Sequence, residues 1–438
     1  MNSGEKVLLT TVYTNGQYYD YIESNMLFPL RMTWVRRTSY GLRFLKQNVP
    51  ELEILEYPTK EEYLRKLEEG WDVVGFSFYV NEIPEILEMA DLAREKGVGE
   101  LWAGNYGALT PGMELYFDRV FRGYAEEEVA SFFGRKIKEV VHPPLLGTVG
   151  TTFGLKFAPV GVLFTTRGCP MGCKFCQTPS FCPKPSVIPL KSIERVLEFY
   201  KKLGLGYVLI LDENFGLFRK HAEEVAELLG KYGFMWAPMI RADLLLEKLE
   251  EWRKLGMRGA LFGIESFDQR VLDDLEKRER ADIVKEVIRR IRLSWKAPWR
   301  GIGGIGYYMI GHEEETKESI KAALKELKGL NPGFVQLCIL TPLPSTPLWD
   351  YLDKRYGIFE KDWHKFDCKH LVWNHPHLSP KEMEELLCWG MKEINSPHLL
   401  RYLLHRLPEY LTNVGFYVKD VYLAHVLDQR TPFYFPLD

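Results

Sequence analysis

The sequence has few cysteines, no long apolar run and no excess of charge of either sign. Seven cysteines in 438 residues are too few and too scattered for a disulfide framework, which favours a reducing compartment. No window reaches the roughly 18 uninterrupted apolar residues of a membrane-spanning helix. The first residues, MNSGEKVLLTTVY, contain too short an apolar core for a signal peptide. We therefore predict a cytoplasmic protein without a transmembrane segment.

The charge balance and the size bound the class of protein further. Fifty-seven Lys and Arg residues against 60 Asp and Glu residues give a net charge of −3, and no basic stripe marks a nucleic-acid surface. Nucleic-acid substrates are therefore disfavoured. The length suits two or three domains, and a hydrophobic content of 46% is ample for their cores.

The N-terminal third alternates short β-rich runs with helical periodicity. The predicted strands are 7–11, 52–55, 73–77, 100–103 and 119–121, and the clearest helical patterns are 59–69 and 82–96. This alternation predicts a parallel, Rossmann-like doubly wound domain over residues 1–140. Such a sheet binds ligands at the carboxyl ends of its strands.

A second βα series follows a Gly-, Pro- and Thr-rich connector that we assign to residues 141–159. Its predicted strands are 161–166, 207–212, 235–240, 258–264, 303–310 and 333–341. Six βα units predict a partial (β/α)6 barrel over residues 160–348, with its chemistry on the loops that follow the strands. Residues 349–438 are predicted to form a mainly helical C-terminal cap or substrate region. For the aromatic-rich end of the chain, we predict a packed cap. A hydrophobic substrate channel and a peripheral membrane contact are the weaker alternatives.

Three cysteines follow the first of these strands within eight residues. Cys169, Cys173 and Cys176 have the spacing CxxxCxxC, so one loop can wrap three thiolates around a single inorganic centre. A 4Fe-4S cluster held by three cysteines leaves one iron open for a small molecule. The alternatives are a structural zinc ion with Cys182 or a distant His as fourth ligand, and three reduced thiols without a metal.

The loop resembles the signature of the radical S-adenosylmethionine (radical SAM) family, CxxxCxΦC, because the aromatic Phe175 precedes its third cysteine. The resemblance implies a 4Fe-4S cluster whose open iron binds S-adenosylmethionine (SAM) and an external electron donor of the ferredoxin or flavodoxin type. Reductive cleavage of SAM would yield a 5′-deoxyadenosyl radical that removes hydrogen from an unactivated substrate carbon.

Further motifs resemble this family at the ends of later strands. They are similar to its "DDNF", "RAD", "GIES", "GxxxET" and "TPLPGTPL" elements, with Thr316 as a helix cap and Ser345 in the usual Gly position. Singly, the charged residues could equally be solvated loop acids or a local ion pair. The resemblance implies that the following residues contact the cofactor: Phe175, Asp212, Glu213, Asn214, Arg241, Asp243 and Glu265.

The N-terminal domain resembles the cobalamin-binding domains that precede many radical SAM modules. Its turns contain Gly75, Ser77, Gly104 and Gly123, which the resemblance assigns to cobalamin binding, although each glycine by itself fits an ordinary tight turn. The DxHxxG cobalt-ligand motif is absent, since no histidine precedes His142 and the corresponding loop is 14–20. Either cobalamin binds without a protein imidazole, or the scaffold no longer binds it.

The C-terminal region supplies two sets of candidates. Asp367 and His370 lie in a segment similar to one near the substrate side of related enzymes, and we list them as catalytic candidates; the other histidines there fit loop positions. Four more cysteines could hold a second iron or iron–sulfur site, with buried core thiols as the more ordinary interpretation. They are Cys182, Cys338, Cys368 and Cys388.

The sequence thus predicts a radical SAM enzyme that acts on a small-molecule or lipid substrate. Its expected outcome is carbon–carbon bond formation, by cobalamin-dependent C-methylation or by coupling of lipid or isoprenoid chains. The alternatives are ring rearrangement or cyclisation of a small metabolite, and a non-catalytic zinc or iron–sulfur protein.

Overall fold

The computed structural model describes residues 4–14, 38–152, 155–294, 305–395 and 433–437. Most of the loop 14–20 and nearly all of the tail from 398 onward, both discussed above, lie outside these ranges. Among the residues described, no helix is long and apolar enough to cross a membrane.

The N-terminal domain is a five-stranded parallel sheet in the order β2-β1-β3-β4-β5. Its strands are β1 (Val7–Thr11), β2 (Glu53–Leu55), β3 (Val73–Ser77), β4 (Glu100–Gly104) and β5 (Arg119–Val120). Its helices are α1 (Tyr40–Asn48), α2 (Lys60–Leu67), α3 (Ile83–Glu95) and α4 (Glu126–Phe132). The doubly wound prediction is confirmed. The order reverses at β1, so the carboxyl ends of β1 and β3 border the crevice where such sheets bind ligands.

Six parallel strands form the central partial barrel, as predicted. Two sheets, β7-β10-β11 and β12-β13-β14, are joined by a parallel bridge between Met239 and Leu261. The strands are β7 (Leu155–Leu163), β10 (Tyr207–Ile210), β11 (Met235–Pro238), β12 (Leu261–Glu265), β13 (Ile305–Ile310) and β14 (Phe334–Ile339). The helices are α6 (Leu190–Lys202), α7 (Arg219–Tyr232), α8 (Ala242–Lys254), α9 (Gln269–Asp274), α10 (Ala281–Ser294) and α11 (Lys317–Leu330).

The stretch 141–159, predicted as a connector, instead contains strand structure. β6 (Leu145–Thr152) pairs antiparallel with β7 and extends the barrel sheet by one strand. The Gly and Thr content that suggested a linker is compatible with this hairpin, because antiparallel edge strands tolerate residues that a central strand does not.

Helix α6 explains how the first barrel strand is fixed. Ile193, Val196, Leu197 and Tyr200 recur at helical spacing and are fully buried, as expected of an amphipathic helix on a sheet. The Tyr200 hydroxyl donates to the Val162 carbonyl (2.8 Å) and accepts from the Leu145 amide (2.9 Å). Its ring occupies the space that a Cβ at residue 161 would need, so this strand position requires glycine.

The C-terminal region contains α12 (Pro347–Arg355) and a helix over 380–395. Ser379 and Glu382 form a reciprocal cap on the latter: Glu382 N–H donates to Ser379 Oγ (3.4 Å) and Ser379 N–H to Glu382 Oε2 (3.0 Å). Ser379 is therefore the N-cap of this helix. The Thr316 cap on α11 is confirmed, since its side chain accepts from the Ser319 amide.

Candidate active site

The three-cysteine loop leaves β7 at the carboxyl end of the barrel. Two residues of the loop, β8 (Thr166–Arg167), pair with β9 (Ser186–Val187) and close it. Gly168 (φ +77°) and Gly172 (φ +73°) have left-handed backbone, which only glycine adopts without strain. A Cβ at Gly168 would lie 2.7 Å from Cys182 Sγ.

Neighbouring elements hold the loop by its backbone and leave the thiols free. The Lys174 amide donates to the Leu275 carbonyl (3.0 Å), and the Lys174 carbonyl accepts from the Leu348 amide (3.0 Å). The Cys176 amide donates to the Cys173 carbonyl (3.0 Å). All three cysteines are unpaired and partly accessible, an arrangement that can receive a multi-iron cluster with one corner open.

A buried charge network borders Cys173. Lys277 Nζ lies 2.8 Å from Glu265 Oε1 and 3.5 Å from Glu279 Oε2, and Arg241 contacts Glu279 at 3.8 Å. Burial raises the pKa of the Cys173 thiol to about 11, while the positive charges of Lys277 and Arg241 act in the opposite direction. A thiolate at this position therefore has cationic neighbours that stabilise it.

Backbone geometry aims Glu265 at this network. The register between β12 and β13 shifts between Gly263 and Glu265, and Glu265 has a φ of +55°. A β-bulge re-aims a side chain, and left-handed backbone at a non-glycine residue costs free energy that the surroundings must offset. Gly263 is required here, since a Cβ would overlap Glu265 Oε1 and lie 2.6 Å from Lys277 Nζ.

Arg241 and Asp243 pair with each other rather than standing open. Arg241 Nε donates to Asp243 Oδ1 (3.2 Å), and the Arg241 guanidinium also donates to the carbonyls of Lys277 (2.7 Å) and Arg278 (2.8 Å). Arg241 and Asp243 therefore form the local ion pair that the sequence left open as an alternative. The pair fixes the loop that holds Lys277 beside Cys173. Cofactor contacts by Arg241 and Asp243 stay a prediction.

Asp212 has a different position from the one predicted. Its carboxylate is fully buried and accepts hydrogen bonds from the Thr165 amide (2.5 Å), the Thr165 hydroxyl and the Thr166 amide (3.2 Å). Burial raises its pKa to about 7. All of these contacts tie the end of β10 to the start of the cysteine loop, so Asp212 orients the loop instead of meeting a cofactor ammonium group.

Asn214 has an unsatisfied donor. Its Oδ1 accepts from the Arg241 amide (3.3 Å), whereas its Nδ2 is buried without a hydrogen-bond partner. A buried donor without a partner is costly and indicates a missing acceptor. The prediction that Asn214 meets a cofactor fits this observation.

The N-terminal domain contacts the cysteine loop through a buried ion pair. Arg167, two residues before Cys169, donates to both carboxylate oxygens of Glu126 at 2.9 and 2.6 Å, and both side chains are less than a tenth exposed. The guanidinium also lies over the rings of Tyr124 (4.2 Å) and Phe44 (4.9 Å). Two domains are thereby joined at the loop that bears the thiols.

Glu213 forms a second connection between the domains. Its Oε1 accepts from the Tyr124 hydroxyl (2.6 Å) and its Oε2 from the Gly168 amide (3.2 Å). The carboxylate therefore bridges the Gly123–Glu126 turn and the residue next to Cys169. Glu213 also lines the cavity described below, and each carboxylate oxygen can accept further hydrogen bonds, so a cofactor contact by Glu213 stays a prediction.

One cavity of about 790 Å³ links the two domains. Residues of the sheet turns, of α1 and of the barrel interior line it together, and all four residues predicted for cobalamin are among them: Gly75, Ser77, Gly104 and Gly123. None of the described residues that line it is a histidine. The cavity lies at the carboxyl ends of the N-terminal strands, where doubly wound domains bind ligands.

Asp367 and His370 are not among the residues that line this cavity. His370 Nδ1 lies 3.0 Å from Asp367 Oδ1, and this hydrogen bond raises the pKa of the imidazole above its usual value. The two candidates pair with each other, and a catalytic role for them stays a prediction.

The four remaining cysteines are not assembled into one site. Cys182 packs with Leu109 and Phe181, and Cys388 is exposed. Burial and the nearby Cys368 raise the pKa of Cys338. Within the described ranges, no three His, Cys, Asp or Glu side chains are grouped to hold a single metal ion. The described part of the chain therefore does not bring these four cysteines together, and a second metal site stays a prediction.

Sequence reasoning missed several residues at this site. Lys277 and Glu279 stand in the charged run DDLEKRER, which reads as a solvated helix end and gives no signal of burial. Glu126 and Tyr124 belong to a turn that was noticed for its glycine. Only proximity to the cysteine loop reveals their roles.

The class of protein follows from these features and from a family comparison. Residues 163–327 match the family described as the radical SAM superfamily. The chain thus carries a radical SAM domain, a catalytic domain that uses a 4Fe-4S cluster and SAM, and the resemblance found in the sequence is confirmed.

Two relatives of this chain are named as methyltransferases. An uncharacterised methyltransferase of Pyrococcus horikoshii is 29% identical over 52% of this chain and 50% of its own length. Bacteriochlorophyllide d C-12(1)-methyltransferase of Chlorobaculum tepidum is 25% identical over 72% of this chain and 73% of its own. The match to the first of these relatives spans only half of that protein.

Solved structures share the two-domain architecture. The cobalamin-dependent SAM radical enzyme OxsB superposes with a TM-score of 0.62 over 97% of this chain and 76% of its own, at 14% identity. The radical SAM methyltransferase TsrM from Kitasatospora setae gives 0.57 over 80% and 75%, at 16% identity. At such identities these likenesses establish the fold alone.

Proposed function

We propose that this protein is a cobalamin-dependent radical SAM methyltransferase that forms a carbon–carbon bond on a small-molecule or lipid substrate. The observation that carries the proposal is the single cavity shared by the N-terminal sheet turns and the barrel interior. Arg167 and Glu213, which fix the cysteine loop, also line this cavity, so a methyl donor bound on the first domain would lie next to the loop that bears the thiols. The names of the relatives described above support methyl transfer.

The residues at the cysteine loop fit a 4Fe-4S cluster and SAM. Cys169, Cys173 and Cys176 would hold three irons, and Lys277 places a positive charge near Cys173. Asn214 Nδ2, a buried donor without a hydrogen-bond partner, suits the acceptor oxygens of the SAM carboxylate or ribose.

The sheet turns fit cobalamin bound without a protein imidazole. Gly75, Ser77, Gly104 and Gly123 line the cavity, and glycines allow a large ring to approach the backbone closely. No histidine occurs before His142, and the buried His142 ring instead contacts the amide of Phe164 (2.9 Å). We therefore propose that no histidine of this domain ligates cobalt.

The chain's own groups position the cofactors and exclude water. When bound, the cluster and SAM supply a 5′-deoxyadenosyl radical and cobalamin supplies the methyl group. Arg167, Glu126, Tyr124 and Glu213 keep the cysteine loop against the N-terminal domain. Phe44 and Phe164 add an aromatic wall (5.9 Å between ring centroids) to the cavity, which keeps water from a reactive radical. An external electron donor would complete the reaction.

Anaerobic reconstitution with iron and sulfide tests the proposal. We expect about four irons per chain, cobalamin absorbance after incubation with the cofactor, and 5′-deoxyadenosine release with a strong reductant. Replacing any one of Cys169, Cys173 or Cys176 by alanine should abolish 5′-deoxyadenosine release. The exposed Cys388→Ala variant is the matched control and should behave as the wild type. A colourless zinc protein would contradict the proposal.

The products of SAM distinguish the reaction outcomes. Methyl transfer through cobalamin consumes a second SAM and releases S-adenosylhomocysteine together with 5′-deoxyadenosine. Formation of 5′-deoxyadenosine alone, with cobalamin absent from the protein, would instead support chain coupling, ring rearrangement or cyclisation. Quantifying both products by chromatography in one reaction therefore separates the alternatives.

A further inference from the structure

Among the described residues, no side chain of the barrel covers the inner faces of β13 and β14. Along both strands partly exposed and buried residues alternate from the first residue to the last. The buried residues lie under the helices, whereas Ile305, Tyr307, Phe334, Gln336 and Cys338 line the cavity. In closed (β/α)8 barrels layers of side chains fill this interior. Here it stays open along both strands.

Near the amino ends of these strands, the wall of the cavity is apolar. Met239, Leu261, Ile305 and Phe334 are hydrogen-bonded neighbours on four adjacent strands, paired in that order. We name these four residues the lumen floor. All four line the cavity, and their side chains offer no hydrogen-bond donor and no acceptor other than the weak thioether sulfur of Met239. Water in contact with such a surface is readily displaced by hydrocarbon.

Neutral polar groups occur two and four residues further along the same strands. Tyr307 pairs with Gln336, and Cys338 follows with its thiol 4.0 Å from Gln336 Nε2. Burial raises the pKa of Tyr307 to about 12 and that of Cys338 well above its usual value. The negative charge of Glu265 also raises the pKa of both groups. Glu265 contacts Lys277, which lies beside Cys173. These neutral groups therefore lie on the cluster side of the lumen floor.

We propose that the lumen floor binds a hydrocarbon portion of the substrate, and that Tyr307 and Gln336 receive a single uncharged polar group of the same molecule. The inference rests on the proposed function, because the cavity serves as a substrate site only if the cluster loop is catalytic. A charged group would have no partner on the floor, and burying it there would be costly. The substrate class is thus apolar or weakly amphipathic, such as a hydrocarbon chain with a hydroxyl or carbonyl group.

Binding of n-alkyl alcohols of increasing length to the reconstituted protein tests this inference without measuring turnover. Calorimetry should show the dissociation constant falling by about fourfold for each added methylene group until the floor is covered. Ile305→Gln should weaken the binding of the longer alcohols at least tenfold, because it places an amide in the floor. Ile305→Met, which has a similar shape without the polar group, is the matched control and should retain most of the affinity.

Three measurements separate this inference from the proposed function. SAM affinity should be unchanged in Ile305→Gln, and an equal loss of SAM affinity would assign the floor to the cofactor and overturn the inference. Affinities that do not depend on chain length, or that Ile305→Gln leaves intact, would also overturn it. Release of 5′-deoxyadenosine by the same preparation reports on the proposed function independently, and thermal melts of both variants check that they are folded.

Discussion

The buried ion pair between Arg167 and Glu126 gives a quantitative test of how the two domains are joined. Its two charge-assisted hydrogen bonds measure 2.9 and 2.6 Å, and its side chains are 7% and 4% exposed. Removing one member of a buried pair leaves the other charge without a partner, which costs about 3–5 kcal/mol. We therefore expect Glu126→Met and Arg167→Met each to lower the free energy of unfolding by about that amount.

The double variant should recover most of this loss, because two apolar side chains of similar volume leave no buried charge. Chemical denaturation followed by tryptophan fluorescence gives the four free energies of the cycle. A surface pair provides the control: Arg122 and Glu114 are 2.7 Å apart but 61% and 51% exposed, so Glu114→Met should change stability by less than about 1 kcal/mol. Additive losses, or single losses no larger than this control, would refute the reasoning.

Three further predictions concern single positions. Gly263→Ala should displace the Lys277 side chain, and we expect weaker SAM binding by calorimetry and a loss of about 1–3 kcal/mol in stability; unchanged SAM affinity would contradict this. Burial raises the pKa of Asp212 to about 7, so between about pH 4 and 7 the folded state retains a proton that the unfolded state has released. The stability of the wild type relative to Asp212→Asn should therefore fall as the pH rises from about 4 to 7. A stability difference that does not change over that range would argue against this reasoning. Ser345 has a φ of +60° and donates to the Leu109 carbonyl (2.7 Å), so Ser345→Gly should be more stable than Ser345→Ala by about 1 kcal/mol, as measured by thermal unfolding, whereas equal stabilities would not fit.

Local patterns predicted most of the architecture. The strand and helix periodicities located the five-stranded N-terminal sheet and all six parallel barrel strands, because alternation of short apolar runs with amphipathic helices leaves few packing solutions. The resemblance placed Ser345 in a usual glycine position, and the structure shows left-handed backbone there (φ +60°). The hairpin of β6 and β7 was missed, since Gly- and Thr-rich edge strands have the composition of a linker.

The candidate site was predicted unevenly. The three cysteines form one loop, so their spacing alone brings them together. Asp212 and Glu213 were correctly recognised as strand-end residues, and the structure adds that both carboxylates accept hydrogen bonds from residues at the cysteine loop. Their partners, the Thr165 and Gly168 amides and the Tyr124 hydroxyl, come from other strands or from the other domain, and no local pattern encodes such contacts.

The sequence by itself determined the cysteine loop, the βα order and the absence of an imidazole from the first 141 residues, because each of these is a property of consecutive residues. Only the tertiary structure decided that Lys277 is buried beside Cys173, that Arg167 reaches Glu126 of the other domain, and that the barrel interior stays open above an apolar floor. These features depend on which side chains meet across distant segments. These tertiary contacts decide which charged residues are buried and how they pair, because a lysine or a glutamate has the same local sequence pattern in solvent and in a core.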